Sequence, residues 1–290
     1  MLRLRLDSFP TTRPGQFVQV QCRGLDEQIG SREIQWKENG WPTLTQPELA
    51  DKEPLLRRPF SLAGRRDVGG AVELDVMVRS VGTGSSWLRT TKTGTKLSLL
   101  GPLGNGFTIT DAPQAVLVGG GVGIPPMIYL ARELAAAGKK VVAFNGSRAK
   151  NLLPVELVAG AEISSVAKPT LCVKEFADIG VPSVIATDDG TIGFGGIVTE
   201  AFHEWLNANL PSQDELVVCS CGPEPMMRAV AQICLSRGYV CRLALERHMA
   251  CGMGTCQSCI VKIRDDNEQG WSFKLCCTDG PVFDARDLLW

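Results

Sequence analysis

Three cysteines crowd one glycine-rich stretch near the end of the chain, Glu246-Arg-His-Met-Ala-Cys251-Gly-Met-Gly-Thr-Cys256-Gln-Ser-Cys259, and two more stand together at Cys276 and Cys277. The spacing C-x4-C-x2-C with a distant further cysteine is that of plant-type 2Fe-2S ligation. It constrains the fold, because one loop must curl round a flat two-iron rhomb while backbone N–H groups turn inward toward its sulfurs. Gly252 and Gly254 suit that curl, since glycine accepts positive φ without steric cost. A structural zinc site is the competing reading, but zinc ribbons pair their cysteines as two short knuckles, whereas here three thiols share one loop. A disulfide framework fits less well: the cysteines number 11, an odd count, and no secretory segment leads the chain toward an oxidising compartment.

A cluster that carries one electron at a time needs a donor and an acceptor, which the rest of the sequence should supply. At 290 residues there is room for two or three domains. A net charge of −1 gives no electrostatic case for nucleic acid or an anionic membrane. No apolar run approaches the roughly 18 residues of a spanning helix. Met1 to Asp7 alternates apolar and charged residues as a strand does and lacks the apolar core of a signal peptide, so the cytoplasm is the expected location. The two histidines offer little proton chemistry. His203 falls in a helical pattern as a surface residue, and His248 is expected to pack or hydrogen-bond beside the cysteine loop. No catalytic side chain is nominated.

The first hundred or so residues read as short strands: Leu2 to Leu6, Gln16 to Gln21, Pro59 to Leu62, Ala71 to Val78 and Lys96 to Leu99. Such runs without helical periodicity suggest a small antiparallel barrel. Between Cys22 and Leu55 a polar segment with Trp36, Trp41 and prolines at 42, 47 and 54 interrupts them, as a long hairpin with its own tryptophan packing or as a flap. From Gln114 the rhythm becomes βαβ. Strands are expected at Ala115–Val118, Lys140–Phe144, Ser183–Thr187, Glu215–Cys219 and Tyr239–Leu245, with helices at Pro125–Gly138, Glu200–Leu210 and Glu224–Arg237. Alternation of this kind predicts a doubly wound, mostly parallel sheet. The expected parts are a barrel over 1–108, an α/β domain over 109–245 and a cluster lobe over 246–290.

Several turns carry chemistry. Gly119, Gly120, Gly121 and Gly123 lie between a buried strand and a helix, where backbone can approach a pyrophosphate and the helix N-terminus favours its charge. The run falls short of the full G-x-G-x-x-G, and no acid closes the second strand, which runs into Ser147 and Arg148. Cys221-Gly222-Pro223 turns the chain at the end of another apolar strand, in the crevice where open α/β sheets bind ligands. In the barrel region Arg58-Pro59-Phe60-Ser61 heads a strand, and Gly82-Thr83-Gly84-Ser85 reads as a phosphate-cradling turn that runs into a short helix. Each has an ordinary structural alternative, an exposed arginine or a plain turn.

Arg58-Pro-Phe-Ser61, Gly82-Thr-Gly-Ser85 and Gly101-Pro-Leu-Gly104 resemble the flavin-binding barrel of the ferredoxin–NADP reductase superfamily, and Gly119 to Gly123 with Cys221-Gly-Pro223 resemble its nicotinamide half. Within that superfamily Thr187-Asp-Asp-Gly-Thr191, Glu246 to Cys259 and Cys277-Thr-Asp-Gly-Pro-Val-Phe283 are similar to the electron-transfer subunit of NAD-linked dihydroorotate dehydrogenase. The resemblance covers nearly the whole chain. It implies bound FAD, a 2Fe-2S cluster and NAD, with an FMN-containing dihydroorotate dehydrogenase catalytic subunit as partner, two copies of each. It implies that Arg58 and Ser61 contact the flavin, that Gly82 to Ser85 hold its pyrophosphate, and that Cys277 joins Cys251, Cys256 and Cys259 as the fourth ligand. The segment around Trp36 is larger than the resemblance leads one to expect, and the chain starts so close to its first strand that a barrel strand is expected to be missing or replaced. Rival readings are a reductase subunit of a hydrogenase, sulfur reductase or transhydrogenase, and a non-catalytic zinc-bearing assembly module.

Overall fold

The computed structural model describes residues 1–25, 34–36, 38, 40, 43–44 and 56–290. Its first layer is an antiparallel sheet in the order β1 (Leu2–Leu6), β6 (Ala71–Val76), β5 (Arg58–Val68), β2 (Phe17–Val20) and β7 (Leu99–Leu103). A two-stranded ribbon, β3 (Ile34–Gln35) with β4 (Thr43–Leu44), stands apart from it. Strand β5 makes the barrel's corner. Its first residues pair with β2 and the remainder with β6, and the ladder slips between Leu62 and Gly64. A bulge of this kind bends a strand and lets it serve two sheets. The sequence pattern stops that strand at Leu62 because Ala63 and Gly64 break the alternation, whereas the structure carries it through to Val68. The strand expected at Lys96–Leu99 is displaced: β7 begins only at Leu99 and runs past Gly101 and Pro102 to Leu103. It lies at the sheet edge, where a proline's missing N–H costs no ladder bond.

Charge is internal to this layer. Arg3 and Asp75 are direct cross-strand partners, with Nε donating to the carboxylate at 3.0 Å, and Arg66 adds two bonds at 2.8 and 2.9 Å. Burial pushes the Asp75 carboxyl up, but the hydrogen bonds from Arg66 and Arg3 outweigh it and hold it below the usual carboxylate range.

The second layer is a seven-stranded sheet in the order β11 (Phe194–Gly195), β10 (Ser183–Thr187), β9 (Lys140–Ser147), β8 (Gln114–Gly120), β12 (Leu216–Cys221), β13 (Val240–Ala244) and β16 (Val282–Asp284). Its five central strands follow a 3-2-1-4-5 order and are parallel. Helices α4 (Val198–Asn209) and α5 (Glu224–Leu235) join the core cluster on one face, with Phe144 meeting Phe202 and Trp205 edge to face at 5.9 and 5.8 Å. Helix α2 (Ile124–Ala136) covers the other face and is buried from Ile124 to Ala131. It has little polar face because it is packed on two sides. Tyr129 belongs to the barrel core, where it hydrogen-bonds Thr12 at 2.8 Å, while its neighbours fill the sheet core. Helices α1 (Thr83–Thr90) and α3 (Lys174–Ala177) are short.

The C-terminal residues form a hairpin, β14 (Ile260–Arg264) with β15 (Trp271–Leu275), and then add β16 antiparallel to β13 as the last strand of the nucleotide-side sheet. Gly104 and Asn105, just after β7, are the clamp for this return. Asn105 donates to the carbonyls of Asp279 and Val282 at 2.8 and 2.9 Å and accepts from Val282 N–H at 2.9 Å. A Cβ on Gly104, at φ +73, would fall 2.6 Å from Pro281 Cδ, so only glycine lets the two turns meet.

Among the described residues no helix is long and apolar enough to cross a membrane. The antiparallel β3–β4 pair is a hairpin within that segment, but Trp36 is 78% exposed, so the expected tryptophan packing is not what holds it. Trp41 and the prolines at 42, 47 and 54 lie outside the described residues. Leu2–Leu6 forms a full cross-strand ladder with β6.

Candidate functional site

The barrel, the nucleotide-side sheet and the lead-in to the cysteine loop meet round one cleft of about 500 Å³. From the barrel come Arg58, Pro59, Phe60 and Ser61 at the head of β5, and Gly82, Thr83, Gly84 and Ser85 where α1 begins. The turn before α1 is tied by Ser85, whose Oγ accepts the N–H groups of Val81 and Gly82 at 2.9 and 3.2 Å. The first N–H groups of a helix have no partner within it and favour an anion. A Cβ on Gly84 would fall 3.1 Å from Arg58 Cγ and 3.2 Å from Cys22 Cβ, so this glycine lets the arginine lie over the turn. Arg79, unnoticed in the sequence, also lines the cleft. Two guanidinium groups, a helix start and an adjoining apolar wall of Phe60, Pro59 and Met77 suit a ring system that carries a pyrophosphate. The residues present therefore fit FAD.

The nucleotide side is built at the carboxyl ends of adjacent parallel strands. Gly119 on β8 is the register partner of Cys221 on β12, and between these two strands the sheet changes direction of winding. Open α/β sheets bind ligands at that switch point. The two turns are in backbone contact: a Cβ on Gly123 would overlap the Cys221 carbonyl, and one on Gly222 would fall 2.9 Å from Gly120 O. Cys221 lines the cleft, with Val122, Pro125 and Pro126 from the first turn. Gly119, Gly120, Gly121, Gly123, Gly222 and Pro223 form the floor behind these residues and do not line it. The acid that the second strand lacks arrives from β10. Asp188 and Asp189 donate backbone N–H groups to Ser147 and Arg148 carbonyls at 3.0 and 3.1 Å, and both are exposed. Asp189 spends its carboxylate on Thr191, leaving Asp188 toward solvent.

Leu245 to Met249 close the cleft from the third side, and Arg247 bridges to Glu224 at the start of α5 at 2.8 Å. His248 is exposed along this wall rather than packed, and only its carbonyl is engaged, by Ser258 Oγ at 3.4 Å.

Two residues on, the thiols fall into couples. Cys251 Sγ accepts the N–H groups of Met253 and Cys256 at 3.4 Å each and is hydrogen-bonded to the Cys256 thiol. A hydrogen bond with Ser258, then those from the Cys251 region, pull the Cys256 thiol down to about 6. Cys277 is pushed up to about 11 by burial and then by its hydrogen bond with Cys259. Cys276 points elsewhere: fully buried, it donates to the Leu245 carbonyl at 3.4 Å, and burial raises it to about 12. Among the described residues no three His, Cys, Asp or Glu side chains converge on a single ion centre. Two couples of thiols are what two irons, each with two protein sulfurs, require, so the donor set fits a 2Fe-2S cluster better than one zinc ion. Gly252 and Gly254 take φ of +73 and +93 in this loop.

A family model described as the iron-sulfur cluster binding domain of dihydroorotate dehydrogenase B matches residues 246–289. The electron transfer subunit of dihydroorotate dehydrogenase B (NAD(+)) from Caldanaerobacter subterraneus subsp. tengcongensis is 30% identical over 276 residues, covering 95% of this chain and 87% of that protein. Its counterpart from Bacillus caldolyticus is 35% identical over 243 residues, 83% of this chain and 82% of that one. Among solved structures, one of NADH-dependent reduced ferredoxin-NADP oxidoreductase superposes with a TM-score of 0.67 at 26% identity, covering 96% of this chain and 80% of its own. With a relative at this identity along nearly its full length, the chain belongs to the family of the electron transfer subunit of dihydroorotate dehydrogenase B.

Proposed function

We propose that this chain is an electron adaptor that connects an FMN-containing dihydroorotate dehydrogenase catalytic subunit to NAD⁺ in pyrimidine biosynthesis, in an assembly of two copies of each subunit. The observation that carries the reading is the single cleft on which barrel, nucleotide turn and cysteine-loop lead-in converge. FAD supplies the exchange between two-electron nicotinamide chemistry and one-electron cluster chemistry when it is bound. This chain's own residues orient and insulate. Arg58, Arg79 and the start of α1 hold the phosphate end. Pro59, Phe60 and Ser61 present the apolar wall and its polar edge. Cys221, with Gly222 and Pro223 behind it, shapes the place where a nicotinamide meets the cleft, over the floor of Gly119, Gly120, Gly121 and Gly123. Cys251, Cys256, Cys259 and Cys277 hold the cluster. The domains are proposed to run over 1–108, 109–245 and 246–290. Eleven free thiols suit the reducing cytoplasm, where we place the protein.

Cluster-lobe residues form the face for the partner. Ile260, Lys262 and Phe273 project outward from the β14–β15 hairpin, and Cys256 and Met253 are exposed beside it. Removal of the carbon-bound proton, which needs a base within hydrogen-bond reach, belongs in this reading to the partner subunit. Purified chain with its flavin and cluster is therefore expected to reduce dyes with NADH but to give no NADH from dihydroorotate and NAD⁺. Addition of the FMN-containing subunit is expected to start turnover, followed at the NADH absorbance. Turnover without a second protein refutes the adaptor. Sound dye reduction with no turnover in the mixture favours a reductase serving another complex, the reading suggested by the likeness to the ferredoxin-NADP oxidoreductase structure.

A further inference from the structure

Barrel strand β2 carries a polar side chain that nothing above employs. Gln19 is 0% exposed, and among the described residues neither its Nε2 nor its Oε1 has a hydrogen-bond partner. Buried side-chain amides without partners are rare in folded proteins, so one that persists calls for a partner that the described residues do not supply. Its backbone is fixed between Pro59 on β5 and Leu100 on β7, and it does not line the flavin cleft. The amide lies instead against Gly252, the residue that follows Cys251. A Cβ on Gly252 would fall 2.5 Å from Nε2 and 3.1 Å from Cδ. The glycine thus serves the loop's left-handed turn and also makes room for an amide that arrives from another domain.

We infer that Gln19 donates a hydrogen bond to a sulfide of the iron–sulfur cluster held beside Cys251 and thereby raises the reduction potential of that cluster. The inference rests on the reading that Cys251, Cys256, Cys259 and Cys277 hold a 2Fe-2S group. An added electron increases the negative charge on the sulfurs, so a fixed donor stabilises the reduced state more than the oxidised one. The N–H groups of Met253 and Cys256 already point at Cys251 Sγ from within the loop. Gln19 would be a donor supplied by the barrel, and it would make the cluster's potential depend on the docking of barrel against lobe.

The test uses the full chain with flavin and cluster bound, and compares wild type with Gln19→Met, which keeps the side chain's length and removes its amide. The cluster midpoint is measured by redox titration followed by electron paramagnetic resonance, with the flavin midpoint as the internal reference. The expected result is a lower cluster midpoint, by about a tenfold change in the one-electron equilibrium constant or ~59 mV, together with altered g-values and an unmoved flavin couple. A cluster of full iron content whose potential is unchanged in Gln19→Met overturns the inference. A second measurement needs no Gln19 variant to fold. In the chain carrying Gln257→Ala and labelled with ¹⁵N at glutamine side-chain amides, pulsed resonance of the reduced cluster is expected to show a weak ¹⁵N coupling, and its absence overturns the inference. A wild-type chain without any iron–sulfur signal overturns the cluster reading and this inference together, whereas a normal signal indifferent to Gln19 overturns this inference alone.

Discussion

Gly123→Ala tests whether the nucleotide site depends on the close approach of two turns. A Cβ at this position would overlap the Cys221 carbonyl and crowd Gly222 N, and both are backbone atoms that no rotamer change can move aside. The backbone itself at Gly123 is ordinary, with φ −83, so no conformational strain is added and the whole effect comes from overlap. Overpacking in a filled site costs about 1–3 kcal/mol, and contact with backbone at a sheet switch point puts this case toward the upper end. Relief requires the Cys221-Gly222-Pro223 turn to move away from Gly119–Gly123, which widens the place where the nicotinamide is held. At about 1.4 kcal/mol per tenfold, a shift of about 2–3 kcal/mol corresponds to a loss of roughly 30- to 150-fold in kcat/KM for NADH-dependent dye reduction. The flavin and cluster absorbance should be unchanged, because neither Arg58 to Ser61 nor the cysteine loop is part of the contact. A variant with wild-type flavin content whose kcat/KM for NADH stays within about twofold of the parent would refute the close-approach argument.

Cys277→Ser is expected to lose the cluster, seen as iron per chain and visible absorbance, whereas Cys276→Ser keeps it, since that thiol bonds the Leu245 carbonyl and is turned away from the couples; the opposite pattern would reverse the ligand assignment. Asp188→Ser is expected to raise kcat/KM for NADPH relative to NADH by about tenfold, or about 1.4 kcal/mol, because it removes an exposed carboxylate beside Ser147 and Arg148; steady-state kinetics with both nucleotides give the ratio, and no change would mean that specificity is set elsewhere. Asp75→Asn should cost about 2 kcal/mol, less than the roughly 3–5 of a fully buried pair, since Arg3 and Arg66 remain 54% and 34% exposed. The Asp75 carboxyl is held below its unfolded value, so its contribution is complete above about pH 4 and is lost as pH falls through the depressed folded value. Acid unfolding of the parent should therefore steepen below that pH, and the variant should lack this part of the dependence.

The sequence alone determined whatever is local. The cysteine spacing, the glycines that let its loop curl, the βαβ rhythm and most of the period-2 strands act over a few residues and lie where the sequence puts them; the strands read at Pro59–Leu62 and Lys96–Leu99 are instead extended to Val68 and displaced to Leu99–Leu103. Cys277 and Cys276 are neighbours in sequence, yet consecutive side chains leave the backbone in different directions, and only the packed lobe shows one beside Cys259 and the other beneath Leu245. Tertiary structure alone decided what is assembled across distance. The cleft joins residues from Gly15 to Pro281, so Gly15, Met77, Arg79 and the Glu246–Met249 wall carry no sequence signal as its lining. No acid follows the second strand in sequence; the parallel neighbour β10 brings Asp188 beside the end of that strand, a placement that only the sheet pairing shows. Strand β16 completes a sheet begun over a hundred residues earlier because Asn105 and Gly104 leave room for the Gly280–Val282 turn. Gln19 reads in sequence as one polar residue among strand apolars. Its burial against Gly252 follows from how the barrel docks on the cluster loop, and a docked surface is set by the sum of many weak contacts that no short stretch of sequence contains.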